Sequence, residues 1–157
     1  MRKARWLSET EQTAWRAYRE MQLLLNAAIA RDLVDLGLSD ADYDVLSTLS
    51  EAQNHRSRVT DLANDLLWSS SRISHHLGRM EKRGLIKRKS SVEDGRGANV
   101  ELTHAGLRLI EEVAPGHVES VRRRFLDPLD AADLRALTEI AHSVSAHLRS
   151  GASQAQN

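Results

Sequence analysis

The chain has 157 residues, 41% of them hydrophobic, with 22 basic and 22 acidic side chains and no cysteine. That length and apolar content suffice for one folded domain, or a small domain with helical extensions, and exclude a solvated tail. Disulfides and thiolate metal sites are excluded too, and with no run of roughly 18 apolar residues and no apolar leader core, a cytoplasmic protein with no membrane partner is expected.

Residues 10–36 set Ala14, Tyr18, Met21, Leu25, Ala28 and Ile29 at a helical period with neither Pro nor Gly before Gly37, which predicts one long helix. Ser39, followed by Asp40 and Asp42, is an N-cap for a second helix that runs to about Ala52 and turns Tyr43, Val45, Leu46 and Leu49 inward. The polar QNHRSR reads as a loop, and VTDLANDLL as a short helix with Val59, Leu62, Ala63 and Leu66 inside. A turn around Trp68 and Ser69 leads into SSSRISHHLGRMEKRG, in which Ile73, Leu77 and Met80 form one apolar stripe and Gly84 ends the helix.

Beyond Gly84 the period changes to two. Leu85, Lys87 and Lys89 alternate with Ile86 and Arg88, and Asn99, Glu101 and Thr103 with Val100 and Leu102. This predicts a hairpin whose tip, VEDGRGAN, supplies positive-φ residues at Gly95 and Gly97. A helix over 103–127 follows, with a kink or break at Pro115-Gly116. Asp130 caps a last helix over 131–148, and SGASQAQN is expected to fray.

The polar face of the helix after Trp68 is the informative feature. It lies in residues 55–99, where ten Lys/Arg face five Asp/Glu, a net of +5 between flanks of −3 and −2. A short helix, a tight turn, a helix with exposed hydroxyls and cations, then a basic hairpin is the order of a winged helix-turn-helix, in which the second helix enters the major groove of DNA. Hydroxyls suit phosphates and base edges, arginine pairs bidentately with guanine, and a hairpin-tip arginine suits a narrow minor groove.

At this point the sequence resembles the MarR family of bacterial regulators. The resemblance is carried by LANDL at 62–66, SSRISHHLGRMEKRGLIKRK at 70–89, the wing VEDGRGANVELTHAG at 92–106, and the long helices on either side. It implies a mainly α winged helix-turn-helix with a small β-hairpin wing. In that organisation, residues 10–37 and 104–148 are dimerisation helices, 39–103 the DNA-binding lobe and 149–157 a flexible tail. It also implies a homodimeric regulator on a pseudo-palindromic operator, a repressor by obstruction, released by a small aromatic, phenolic or anionic effector. The apolar stripe of the last helix and the exposed Trp6-Leu7 independently want a partner surface.

The expected DNA-binding set is Arg58, Ser69, Ser70, Ser71, Arg72, Ser74, His75, His76, Arg88, Lys89 and the wing-tip Arg96, with Asp94, Gly95 and Gly97 supporting the wing. Arg79, Lys82 and Arg83 read as phosphate contacts or, in preference, as a solvated last turn that complements the helix dipole, and Trp68 as a core plug. An effector pocket would draw on Trp15, Arg16, Tyr18, Arg19 and Tyr43, aromatic walls with a cation for a carboxylate. No cofactor or metal is expected. The spacing of Glu139 and His142 puts two ligands on one helical face, short of a closed site, so a metal-responsive regulator is an alternative without a complete ligand set. No nucleophile elbow, P-loop, HExxH or dinucleotide turn points to an enzyme. The remaining rival is a winged helix that binds protein or RNA, which would more often expose apolar residues on the second helix.

Overall fold

The computed structural model describes residues 4–90 and 98–154. By its own contacts the chain groups into two compact units, Met1–Ser120 and Val121–Asn157.

The first unit begins with α1 (Glu9–Asp35), opened by a capping box in which Ser8 Oγ accepts the Glu11 N–H while the Glu11 carboxylate accepts the Ser8 N–H. Helix α2 (Asp40–Glu51) starts at Ser39 as expected, its hydroxyl accepting the Asp42 N–H at 3.1 Å. A tight 3₁₀ turn at Gln53–His55 leads to β1 (Arg56–Arg58), α3 (Val59–Asp65), α4 (Ser70–Lys82), β2 (Ile86–Ser90), β3 (Ala98–Leu102) and α5 (His104–Val121). The second unit holds a π-helical turn at Arg122–Leu126 and α6 (Ala131–Gln154).

Three helix ends share one device. After α1, α3 and α4 the chain turns through a left-handed residue, Gly37 (φ 85°), Leu67 (φ 53°) and Gly84 (φ 74°), and the next N–H returns to the helix: Leu38 to Leu33, Trp68 to Ala63, Leu85 to Met80. Glycine adopts this backbone without penalty. Leu67 does so at a cost of about 1 kcal/mol, which marks the α3–α4 turn as held by its surroundings.

The sheet is antiparallel in the order β1-β3-β2, with Val100 of the central strand opposite both Ser57 and Arg88. Strand β1 corrects the expectation of a loop over residues 53–58. Three polar residues carry no period-two hydrophobic signal, and they pair antiparallel with Asn99–Glu101 of β3. The core joins Leu33, Leu46, Leu49, Leu62, Ile73, Leu77, Met80, Ile86 and Val100, so the α4 stripe expected from the sequence is buried.

Two further expectations are corrected. Helix α5 passes through Pro115 without a break, and the departure from α geometry falls later, at Arg122–Leu126. A β-carbon at Gly116 would lie 2.9 Å from the Leu36 side chain, so the glycine serves close packing inside an intact helix. Helix α6 also continues beyond Leu148 through Gly151 to Gln154, where a fraying tail was expected; a glycine in a helix costs only about 1 kcal/mol and does not by itself stop one. The last helix is capped as predicted, Asp130 Oδ1 accepting the N–H groups of Ala132 and Asp133.

The LTHAG segment joins the lobe's parts. Thr103 Oγ1 donates towards the carbonyls of Gly84 (2.7 Å) and Leu85 (3.1 Å) and accepts the Gly106 N–H (3.0 Å), so one side chain ties the end of α4 to the start of α5. A β-carbon at Gly106 would sit 2.1 Å from the Leu85 carbonyl oxygen, which is why no larger residue fits there.

Candidate nucleic-acid interface

Helix α4 separates its residues by position. Ile73, His76, Leu77 and Met80 fall at i, i+3, i+4 and i+7 and face the core, while Ser70, Ser71, Arg72, Ser74 and His75 are exposed along its first two turns. The N-terminal end of the helix therefore presents three hydroxyls, a guanidinium and an imidazole to solvent. Ser69 is the N-cap: its Oγ accepts the Arg72 N–H and lies 3.3 Å from the Ser71 hydroxyl, so its first task is to start the helix.

His76 corrects its expected place in the DNA-binding set. Only 5% of it is exposed, because it occupies the core-facing i+3 position of the apolar stripe. Its Nδ1 accepts from Arg79 Nη2 at 2.8 Å, and its Nε2 lies 3.1 Å from Asp42 Oδ1, off the line of a good hydrogen bond. An arginine always donates, so this geometry requires an unprotonated Nδ1. Burial lowers the His76 pKa, the Asp42 carboxylate offsets part of that, and the Arg79 cation lowers it further.

Asp42, also 5% exposed, accepts from Arg83 Nη1 at 2.7 Å. Burial pushes its carboxyl upward, but the hydrogen bonds from Arg83 and Ser39 with the nearby cations outweigh that and hold it below the usual carboxylate range. Two cations expected to be solvated are thus engaged: Arg83 ties the end of α4 to α2, and Arg79 bonds His76 within α4. Above them, the Trp68 ring meets the His76 ring edge-on at 5.4 Å, and the Arg72 guanidinium lies 4.0 Å from the Trp68 ring centre. Trp68 packs against the core as expected, and one face also carries a cation.

Arg58 precedes α3 as its N-cap residue and is exposed. Arg88 is held by Glu81, which accepts its backbone N–H (3.0 Å), Nε (2.9 Å) and Nη2 (2.7 Å); Lys89 pairs with Glu101 at 2.7 Å. Both strand cations are therefore neutralised locally, and the Arg88 bonds lower the Glu81 pKa. Asp94, Gly95, Arg96 and Gly97 lie outside the described residues.

Four of the expected effector residues share α1, and Tyr43 is not brought to them. Trp15 and Tyr18 stack at 5.8 Å with the Arg19 guanidinium 5.8 Å from the Trp15 ring, and Arg16 bonds Gln12, all on an exposed face of α1. Tyr43 instead meets the His117 ring at 4.0 Å, against the core. Trp15 stands 18 residues before the buried Leu33, or about 27 Å along the helix axis. Sequence reasoning missed Asp42 and His117. The position of Asp42 two residues into the second helix signalled only a favourable helix start, and His117 lies 74 residues from its aromatic partner.

The sequence model of the MarR family matches residues 36–97. AbsC, a MarR family transcriptional regulator from Streptomyces coelicolor, superposes with a TM-score of 0.89 at 42% identity over 94% of this chain and 99% of its own. The chain belongs to the MarR family. A second MarR regulator from Streptomyces coelicolor, solved in complex with DNA, is 36% identical over 92% of this chain and 91% of its own, with a TM-score of 0.87. The regulator PecS of Dickeya dadantii is 28% identical over 129 residues, 82% of this chain and 77% of that protein. Membership makes the protein a DNA-binding transcriptional regulator of the MarR type, and these relatives are regulators, not enzymes. No helix among the described residues is long and apolar enough to cross a membrane, and no three His, Asp or Glu side chains among them converge to hold a metal ion.

Proposed function

We propose that the protein is a homodimeric repressor that occupies a pseudo-palindromic operator, with Ser70, Ser71, Arg72, Ser74 and His75 of α4 in the major groove. Arg58 supplies a phosphate contact and Arg96 the wing-tip contact. Arg88 and Lys89, already paired, chiefly shape the wing. The observation that carries the reading is the first two turns of α4, where every exposed side chain is a hydroxyl, a cation or an imidazole and none is a large apolar residue. Such a surface fits base edges and phosphates, and it is a poor fit for a protein partner.

Support for the dimer comes from each unit separately. On α6, Ile140, Val144 and Leu148 are 63%, 53% and 65% exposed and fall on one stripe at i, i+4 and i+8. On α1 and before it, Trp6, Trp15, Met21, Leu23 and Leu24 are likewise exposed. Apolar area of this kind gains roughly 25 cal/mol per Å² when covered, and a second copy of the chain covers it in both subunits at once. The Trp15, Tyr18 and Arg19 cluster supports a small aromatic anion as the effector that releases DNA, with a cation and two rings on one face.

Selection of bound duplexes from a random DNA library tests this reading. It predicts enrichment of a two-fold symmetric site whose half-sites are about one helical turn, roughly 34 Å, apart. No enrichment, or retention of RNA in preference to duplex DNA, would contradict it.

A further inference from the structure

We infer that Trp68 is a positioning residue for base reading: it holds the Arg72 guanidinium over its ring so that the N–H edge is presented to one base pair in each half-site. The inference rests on the DNA-binding reading above and adds to it a residue so far seen only as core.

The geometry is a chain of contacts from α2 outward. Arg83 Nη1 bonds Asp42 at 2.7 Å, the other Asp42 oxygen lies 3.1 Å from His76 Nε2, and His76 Nδ1 accepts from Arg79 at 2.8 Å. The imidazole is thereby hydrogen-bonded on one side and faces a carboxylate on the other. It meets the Trp68 ring edge-on, with an interplanar angle of 86°, and Trp68 is seated against the core. The indole therefore has a defined orientation, and its other partner is Arg72, with Cζ 4.0 Å from the ring centre, well inside the roughly 6 Å range of a cation–π contact.

A cation held over a ring face spends no N–H donor on a protein acceptor. The donors stay available for bidentate pairing with guanine O6 and N7, and the side-chain freedom that an exposed arginine loses on binding is already reduced. The neighbouring cations are used differently. Arg79 and Arg83 point donors at His76 and Asp42 and Lys82 stands in the last turn, so Arg72 is the cation of the first two turns; it lies over the ring and near the Asp44 carboxylate, and no described hydrogen bond takes its donors.

The test uses the full chain and the duplex selected above, titrated at one salt concentration against every single-base variant and against scrambled DNA, with thermal unfolding measured alongside. Trp68→Leu keeps an apolar side chain but removes the π face, whereas Trp68→Phe keeps a face. The expectation is that Trp68→Leu lowers discrimination by about tenfold at one base-pair position per half-site, the scale of a lost bidentate contact. Arg72→Lys, an exposed change compatible with folding, relaxes the same position, and Trp68→Phe restores discrimination. A uniform loss at all positions tracking a lowered Tm, or Arg72→Lys leaving every position unchanged, would overturn the positioning role. If the unaltered protein fails to prefer the selected duplex to scrambled DNA, the DNA-binding reading itself falls and this inference with it.

Discussion

His76 shows how much the role of a side chain depends on its helical position. Its neighbour His75 is exposed at the start of the recognition helix, while His76 is held neutral in the core between Asp42 and Arg79. Burial lowers its pKa and also that of His117, so the unfolded chain binds protons that the folded chain resists. Stability is then fully present above the unfolded histidine value of about 6.5 and is lost as pH falls below it towards the folded pKa. Urea unfolding between about pH 7 and about pH 5 should show stability dropping with pH, and His76→Gln should make that dependence shallower. An unchanged slope in the variant would show that the ring binds protons equally in the folded and unfolded states, and so is not held neutral by its surroundings. The placement was legible in principle, since residues 73, 76, 77 and 80 form one stripe. Reading residue type before position put His76 on the polar face. The partners of His76 and His117 were not legible, because Asp42 and Tyr43 reach them across 34 and 74 residues, separations over which periodicity carries no information.

Among the elements, the helices were read from apolar period and caps because both signals are local: Ser39, Gly84 and Asp130 act where the sequence placed them. Strand β1 was invisible for the opposite reason, its pairing being a backbone matter decided by β3 some 40 residues later. The joint between α4 and α5 leaves no room for a side chain at Gly106. Gly106→Ala must displace either the Leu85 carbonyl or the α5 backbone, and it is expected to cost about 1–3 kcal/mol, the scale of overpacking. Chemical denaturation of the variant checks this, and a loss below about 0.5 kcal/mol, the level of an ordinary surface change, would mean that α5 is not held against Leu85. The same substitution should weaken DNA binding, since Thr103 and Gly106 fix the end of the recognition helix. The wing tip was read from Asp94, Gly95, Arg96 and Gly97, which lie outside the described residues.

For the whole molecule, a neutral total charge concealed a basic central segment between acidic flanks, and that distribution, unlike the total, pointed towards nucleic acid. Family membership and the α4 surface agree on a duplex-DNA regulator, and the exposed stripes of α1 and α6 ask for a second copy. The central claim is that two copies of this chain read one symmetric duplex. Sedimentation of this chain with the selected duplex tests it most directly. The account predicts a complex of two protomers per duplex, and a dimer that persists when DNA is omitted. A single protomer on each duplex, with a monomeric free protein, would contradict it.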